Sequence, residues 1–144
     1  EQYILDNEAT INVDELPVAD VIPFQFRQLF TNLISNSLKF RKKDTPVMIN
    51  IKSEKVMGAE IGPEANGNDA YYRVTVEDNG IGFDNAYHER IFDVFQRLHT
   101  KQEYEGTGIG LAICKKIVEN HRGFIAAKGE PGKGARFTIC LPVN

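Results

Sequence analysis

Apolar positions recur every three or four residues in two stretches of the chain, and this spacing predicts amphipathic helices. The first stretch covers 24–41, directly after a proline that suits the first turn of a helix. Its apolar stripe consists of Phe26, Leu29, Phe30, Leu33, Ile34 and Leu38. The second stretch begins near Leu111 and continues to His121 with the same spacing. A third, short helix is expected within 85–95.

Alternation of apolar and polar residues predicts strands elsewhere in the chain. Alternating strands are expected at 47–56, 72–77 and 135–141, and a further strand is expected at 123–128, between the second helix and a glycine-rich turn. Two short runs, 10–13 and 18–22, are expected to form a small edge hairpin or two edge strands. The intervening stretch 57–70 is rich in Gly, Pro, Asn and Ala, which is typical of a long surface loop.

This order of elements predicts an α+β two-layer sandwich, with a mixed, mostly antiparallel sheet of about five strands and about three helices on one face. The 144 residues are expected to form a single domain, 1–144. Since the chain begins with Glu1 instead of Met, we expect it to be a fragment of a longer protein.

Composition and charge exclude some classes of function but do not identify one. Hydrophobic residues make up 42% and charged residues 26%, which is ordinary for a globular domain. A net charge of −3 provides no basic surface for nucleic acid, and no apolar run is long enough for a membrane span. Cys114 and Cys140 lack metal-site spacing, so we expect structural thiols in a reducing compartment, the cytoplasm. The three histidines share no ligand spacing either.

Three glycines precede the second helix. Gly106, Gly108 and Gly110 place a flexible backbone at a helix N-terminus, whose unpaired N–H groups favour a phosphate. A simple turn is the alternative, and no Lys-Ser/Thr follows to make a P-loop. The polar stretch 98–105 before the glycines is expected to be a mobile flap over a site.

Two further patterns carry candidate chemistry. Asp78, at the end of a predicted strand, is followed by Gly80 and Gly82, so a carboxylate lies beside a flexible turn. That carboxylate could accept a hydrogen bond from a base amine, although such a sequence is often only a turn. Polar side chains at positions 32, 36 and 39 form a separate stripe on the first helix, which is either kept for a ligand or merely solvated.

Taken together, these segments resemble the ATP-binding catalytic domain of sensor histidine kinases, within the Bergerat-type fold shared with gyrase and MutL-type ATPases. The segment 32–40 resembles the asparagine box, and 78–82 resembles the first glycine box. The segments 92–97 and 106–111 resemble the phenylalanine box and the second glycine box. The similarity runs from about Thr10 to Leu141, and the four boxes occur in the family's order.

The resemblance implies roles for residues of the first helix and the first glycine box. Asn36 would hold Mg²⁺ through its side-chain oxygen, and Asn32 and Lys39 would support the triphosphate of ATP. Phe40 stands where the family often has Tyr, so a hydroxyl contact would be absent. Asp78 would accept from the adenine amine, and the adjacent glycines, Gly80 and Gly82, would let the ring lie against the backbone.

The resemblance also assigns the remaining boxes to the nucleotide. Arg97 would reach the γ-phosphate and offset negative charge in the transition state. The second glycine box would close the flap and present N–H groups to phosphate. The other candidate nucleotide-binding residues of these two boxes are Phe92, Phe95, Gly106, Thr107, Gly108, Gly110 and Leu111.

The implied activity is transfer of the γ-phosphoryl of ATP to a histidine on a separate helical dimerisation domain of the same parent protein, for relay to a response regulator. Gyrase and MutL-type ATPases have a water-activating glutamate at the position of Asn32, which cannot take a proton, so transfer is favoured over hydrolysis. Two alternatives stay open: a non-catalytic nucleotide-sensing docking module and an anti-sigma-type serine kinase.

Overall fold

The computed structural model of the protein describes residues 9–14, 16–17, 19–93 and 110–143. In these ranges five strands form one sheet: β1 (Thr10–Val13), β2 (Met48–Met57), β3 (Ala70–Asp78), β4 (Phe124–Glu130) and β5 (Gly134–Pro142). The strand order across the sheet is β1-β2-β3-β5-β4. β1 is parallel to β2, and every other neighbouring pair is antiparallel. The predicted mixed, mostly antiparallel sheet is confirmed.

Two α-helices lie in the described residues, α1 (Pro23–Lys39) and α2 (Gly110–Asn120). The short helix expected within 85–95 is instead a pair of 3₁₀ turns, Asn85–Tyr87 and Arg90–Phe92, as far as residue 93. The Asp84 carboxylate accepts a hydrogen bond from the N–H of Ala86 at 2.9 Å, which caps a tight turn at this point. The α+β class is therefore confirmed with two α-helices where about three were expected.

One strand prediction is wrong. Residues 19–22 form no strand, and β1 pairs directly with β2. Ile22 is extended and precedes α1, and its N–H donates to Nε2 of His121 at 2.9 Å. Nδ1 of His121 in turn donates to the carbonyl of Ile117 at 2.8 Å. This segment therefore connects the start of α1 to the end of α2 and does not extend the sheet.

Both helices pack on one face of the sheet and enclose the main core. Leu29 and Leu33 of α1, and Cys114 and Val118 of α2, are all completely buried. The sheet contributes the alternating apolar residues that face the helices, including Ile49, Ile51, Val74, Val76, Phe137 and Ile139. Apolar burial of this extent is the main stabilising contribution to the fold.

The opposite face of the sheet is polar over most of its area. Ion pairs link neighbouring strands there, with Arg73 to Glu54 at 3.0 Å and Arg136 to Glu77 at 2.8 Å. One end of this face is covered by the predicted loop, which contains the 3₁₀ turn Gly58–Glu60. A second, small apolar cluster lies beneath the loop, formed by Val56, Tyr71 and Cys140 with Ile61, Ala65 and Phe124 against them.

The two cysteines are free thiols in these two separate clusters. Burial raises the pKa of Cys114 to about 12 and that of Cys140 to about 11. Both thiols are consequently protonated at neutral pH, as expected for structural cysteines.

Candidate functional site

The polar stripe of α1 leads to the end of the helix, where it meets the turn that follows β3. Asn32 and Asn36 are half-buried, and Lys39 is exposed in the last turn. The N–H of Ile81 donates to the carbonyl oxygen of Phe40 at 2.9 Å. The end of α1 and the first glycine box are therefore joined directly by the backbone.

The turn is held on its other side by Asn79. Its side-chain oxygen accepts from the N–H of Met48 at 2.9 Å, and its amide nitrogen donates to the carbonyl of Pro46 at 3.1 Å. A Cβ on Gly80 would lie 2.5 Å from the carbonyl oxygen of Phe40. Only glycine at position 80 permits the turn to approach α1 this closely.

The Asp78 carboxylate lies between these elements and accepts three hydrogen bonds. Its Oδ1 accepts from the N–H of Gly80 at 2.9 Å and from that of Ala135, in β5, at 3.2 Å. Its Oδ2 accepts from the hydroxyl of Ser37, in α1, at 2.7 Å. Two strand ends and one helix thus fix a single carboxylate in one orientation.

The surroundings of Asp78 act on its charge in opposite directions. Burial is the largest effect, and it raises the pKa of Asp78 above its ordinary value because the ionised form loses hydration. The three hydrogen-bond donors lower the pKa and partly offset the burial, and the charge of Glu77 raises it further. A buried carboxylate that has three fixed donors, and no ion pair among the described residues, is an acceptor organised for another polar group.

Gly82 has a different role from Gly80. Its φ of 70° lies in the left-handed region that favours glycine, and a Cβ there would overlap the carbonyl oxygen of Glu130. The glycine therefore allows the turn to pack against the hairpin of β4 and β5. Its expected contact with an adenine ring stays a prediction.

Replacing Gly82 with alanine should destabilise the fold by about 3 kcal/mol or more, from the left-handed backbone and the overlap with Glu130. Gly110 is the matched control, because a Cβ there meets no atom of the described residues within 4 Å. Gly110→Ala lies in the first turn of α2 and should change stability by at most about 1 kcal/mol, in the stabilising direction. Urea unfolding of both variants tests this difference, and equal losses would contradict it.

The half-buried Asn32 leaves one polar atom without a partner. Its side-chain Nδ2 is buried and has no hydrogen-bond partner in the described part of the chain. The amide lies near the thiol of Cys114, where it favours the thiolate weakly against the much larger effect of burial. A buried donor of this kind is costly unless an acceptor is supplied, and a phosphate oxygen is an acceptor of the required type.

The positions of the remaining predicted residues say less about a nucleotide site. Phe92 is buried and its ring lies edge-on to that of Phe137, with centroids 6.3 Å apart, so here it belongs to the core. Gly110 opens α2, and Leu111 packs against the core beside it. The predicted flap, 98–105, lies outside the described residues. So do the other candidate residues, which are Phe95, Arg97, Gly106, Thr107 and Gly108.

Sequence reasoning missed two donors to Asp78. Ser37 lies four residues after Leu33 and eight after Leu29, so it is a polar residue on the buried stripe of α1. That misfit was visible in the sequence as a hydroxyl at an apolar position. Ala135 gave no such signal, because its contact depends on the register in which β5 pairs with β3.

The sequence from residue 22 to residue 144 matches the family described as Histidine kinase-, DNA gyrase B-, and HSP90-like ATPase. The chain belongs to this ATPase family. The four boxes of the sequence and the fold of the described residues agree with that membership, and ATP is the nucleotide of this family.

Individual relatives of the ATPase family are sensory proteins. The chain is 44% identical over 143 residues to Cyanobacterial phytochrome A of Nostoc sp. strain PCC 7120, covering 99% of this chain and 17% of the relative. It is 37% identical over 142 residues to the adaptive-response sensory kinase SasA of Synechococcus sp. strain JA-3-3Ab, covering 96% and 33%. The chain therefore spans less than two thirds of the length of either relative.

A solved structure supports the fold. The mycobacterial sensor histidine kinase MprB superposes with a TM-score of 0.76 at 17% identity, covering 98% of this chain and 87% of the other. Within the described ranges, no helix is both long enough and apolar enough to cross a bilayer.

The residues present suit Mg²⁺ bound mainly through a nucleotide. No group of three or more His, Cys, Asp or Glu side chains capable of holding a metal occurs among the described residues. Mg²⁺ commonly takes one or two protein oxygen ligands and completes its shell with water and phosphate oxygens. The side-chain oxygen of Asn36 is a ligand of this hard type.

Proposed function

We propose that this chain is the ATP-binding catalytic domain of a two-component sensor histidine kinase. It transfers the γ-phosphoryl of ATP to a histidine on a separate helical dimerisation domain of its parent protein, which passes it to a response regulator. The observation that carries this proposal is the Asp78 carboxylate, fixed by three donors beside the helix that bears Asn36. Family membership and the sensory relatives support the same reading.

Recognition of adenine is the role proposed for Asp78. An ionised carboxylate only accepts hydrogen bonds, and the exocyclic amine of adenine only donates them in the plane of the base. Oδ1 already has two backbone donors, whereas Oδ2 has one. A free lone pair on Oδ2 is thus the acceptor proposed for the adenine amine.

The triphosphate is assigned to the neighbouring polar residues of α1. Asn36 would hold Mg²⁺ through its side-chain oxygen, and the ion would offset negative charge on the phosphate oxygens. Asn32 has an amide donor that is without a partner among the described residues, and a phosphate oxygen would satisfy it. Lys39, exposed in the last turn, adds a positive charge on the same stripe. Arg97 and the glycines at positions 106 and 108 are proposed to complete the phosphate site.

Transfer to histidine is proposed over hydrolysis because of the chemistry at position 32. A side-chain amide cannot accept a proton from water, whereas a neutral imidazole attacks phosphorus without needing a base. The parent protein is proposed to keep this domain in the cytoplasm, where the two free, buried thiols stay reduced.

Incubation with γ-labelled ATP, Mg²⁺ and a purified histidine-bearing dimerisation domain tests the proposal. We expect label on the dimerisation domain that is stable in base and lost in acid, as a phosphohistidine is. An acid-stable label on a serine would favour the anti-sigma-type kinase. Binding of ATP without any transfer of label would favour the non-catalytic docking module.

A further inference from the structure

Ser37 is the one polar side chain that is fully buried in the described part of the chain, at 2% exposure. A serine within a helix commonly donates back to a carbonyl of the preceding turn. Ser37 instead donates to Oδ2 of Asp78, 41 positions away, at 2.7 Å. Its hydroxyl is therefore directed out of its own helix and into the candidate site.

The three donors to Asp78 are not equivalent. Gly80 and Ala135 donate through backbone N–H groups, and both contact Oδ1. Ser37 is the side-chain donor, and among the described residues it is the donor to Oδ2. Oδ1 is thus fixed by the fold, while the position and hydrogen-bonding character of Oδ2 depend on one hydroxyl.

We infer that Ser37 is a positioning residue that sets the preference of the site for a 6-aminopurine over a 6-oxopurine. Because the Ser37 hydroxyl donates to Oδ2 of Asp78, Oδ2 presents a lone pair to the edge of the base. An exocyclic amine satisfies that lone pair, whereas a 6-oxo group would place two acceptors against each other. The inference rests on the proposed nucleotide function and goes beyond it by naming the residue behind the base selectivity.

Removal of the hydroxyl changes what the site accepts. Without the Ser37 donor, the carboxyl group stays held at Oδ1 by Gly80 and Ala135 but can take up a proton at Oδ2 and become a donor there. A 6-oxopurine is then tolerated better, and a 6-aminopurine is bound less well. The triphosphate contacts are the same for both nucleotides, so a general loosening of the site would weaken the binding of both equally.

Calorimetric titration with ATP and ITP, which differ only at position 6 of the purine, tests the inference. Wild type is expected to prefer ATP by at least about 100-fold. Ser37→Ala should reduce that ratio by about tenfold, the effect of one hydrogen bond to a charged group. Ser37→Thr, which keeps the hydroxyl, should retain the wild-type ratio.

Ser35→Ala is the matched control, because Ser35 lies on the same helix and is half-buried. It should leave the ATP-to-ITP ratio unchanged, and thermal unfolding verifies that each variant is folded. An unchanged ratio in folded Ser37→Ala would overturn the inference and leave the proposed function standing. Failure of wild type to bind either nucleotide would overturn both.

Discussion

Replacing Asn36 with alanine should reduce phosphoryl transfer by at least about 1000-fold, the equivalent of about 4 kcal/mol in the barrier. The substitution removes the side-chain oxygen proposed to hold Mg²⁺ at the phosphates. The fold should persist, because Asn36 is half-buried and lies on the polar stripe of α1. Rates of label transfer at increasing Mg²⁺ concentration measure the effect, and the variant should no longer respond to the metal within the range that saturates wild type.

Asn12→Ala controls for the loss of an asparagine. Asn12 is exposed in β1, on the face of the sheet opposite the helices, and its amide donates to the side chain of Asn50 at 3.0 Å. Its transfer rate should equal that of wild type. If Asn36→Ala responds to Mg²⁺ as wild type does, Asn36 is excluded as the metal ligand.

Asp78→Asn should weaken the binding of ATP by about 2–3 kcal/mol, or roughly 30- to 150-fold. Wild type is expected to bind a non-hydrolysable ATP analogue in the micromolar range, roughly −7 to −8 kcal/mol. The variant loses the charged acceptor for the adenine amine and brings an amide donor into its place. Isothermal titration calorimetry in the presence of Mg²⁺ gives both affinities.

The same substitution should make the fold more stable at neutral pH. Burial raises the pKa of Asp78 in the folded state, so the contribution of this group to stability is fully present below its ordinary value of 3.8. That contribution is lost as the pH rises through the folded-state pKa. Asparagine stays neutral, and its amide can still accept from the two backbone N–H groups and donate to Ser37. The Tm of the variant should therefore exceed that of wild type at pH 7, and the excess should shrink as the pH falls towards 3.8.

Asp44→Asn is the control, since Asp44 is exposed in the turn after α1 and its replacement changes the net charge equally. It should leave ATP affinity unchanged and should not reproduce the rise in Tm at pH 7 that is expected for Asp78→Asn. Loss of ATP binding together with a lower Tm in Asp78→Asn would contradict the prediction, because it would mean that the carboxylate mainly supports the fold.

Local patterns predicted much of this structure. The 3.6-residue period predicted α1 and α2, and alternation predicted β2, β3 and β5, because each period reflects an element with one side against the core. The strand β4 was predicted from its position between the second helix and a glycine-rich turn. The run at 18–22 failed because β-type composition cannot reveal that Ile22 bonds to His121 at the end of a distant helix. Tertiary contacts of that kind override a short local preference.

The candidate site divides in the same way. Asp78, Gly80 and Asn36 could be named as candidates because their boxes are contiguous in the sequence, and their roles stay predictions. The donors Ser37 and Ala135 were missed because they contribute single atoms from elements that meet only in the folded sheet. Ser37 illustrates that a polar residue on an otherwise apolar stripe can be examined as a contributor to a site as well as to stability.

The assembly of Asp78 from distant segments has a consequence during synthesis of the protein. Two of its three donors come from distant positions, one 41 residues before it and one 57 residues after it, and the later donor lies in β5. While β5 is still inside the ribosome, the carboxylate lacks the Ala135 donor and the hairpin partner of β3. In a nascent chain, Asp78 therefore gains the Ala135 donor only after β5 has left the ribosome and paired with β3, so a ligand of this site can stabilise only a domain that already contains β5.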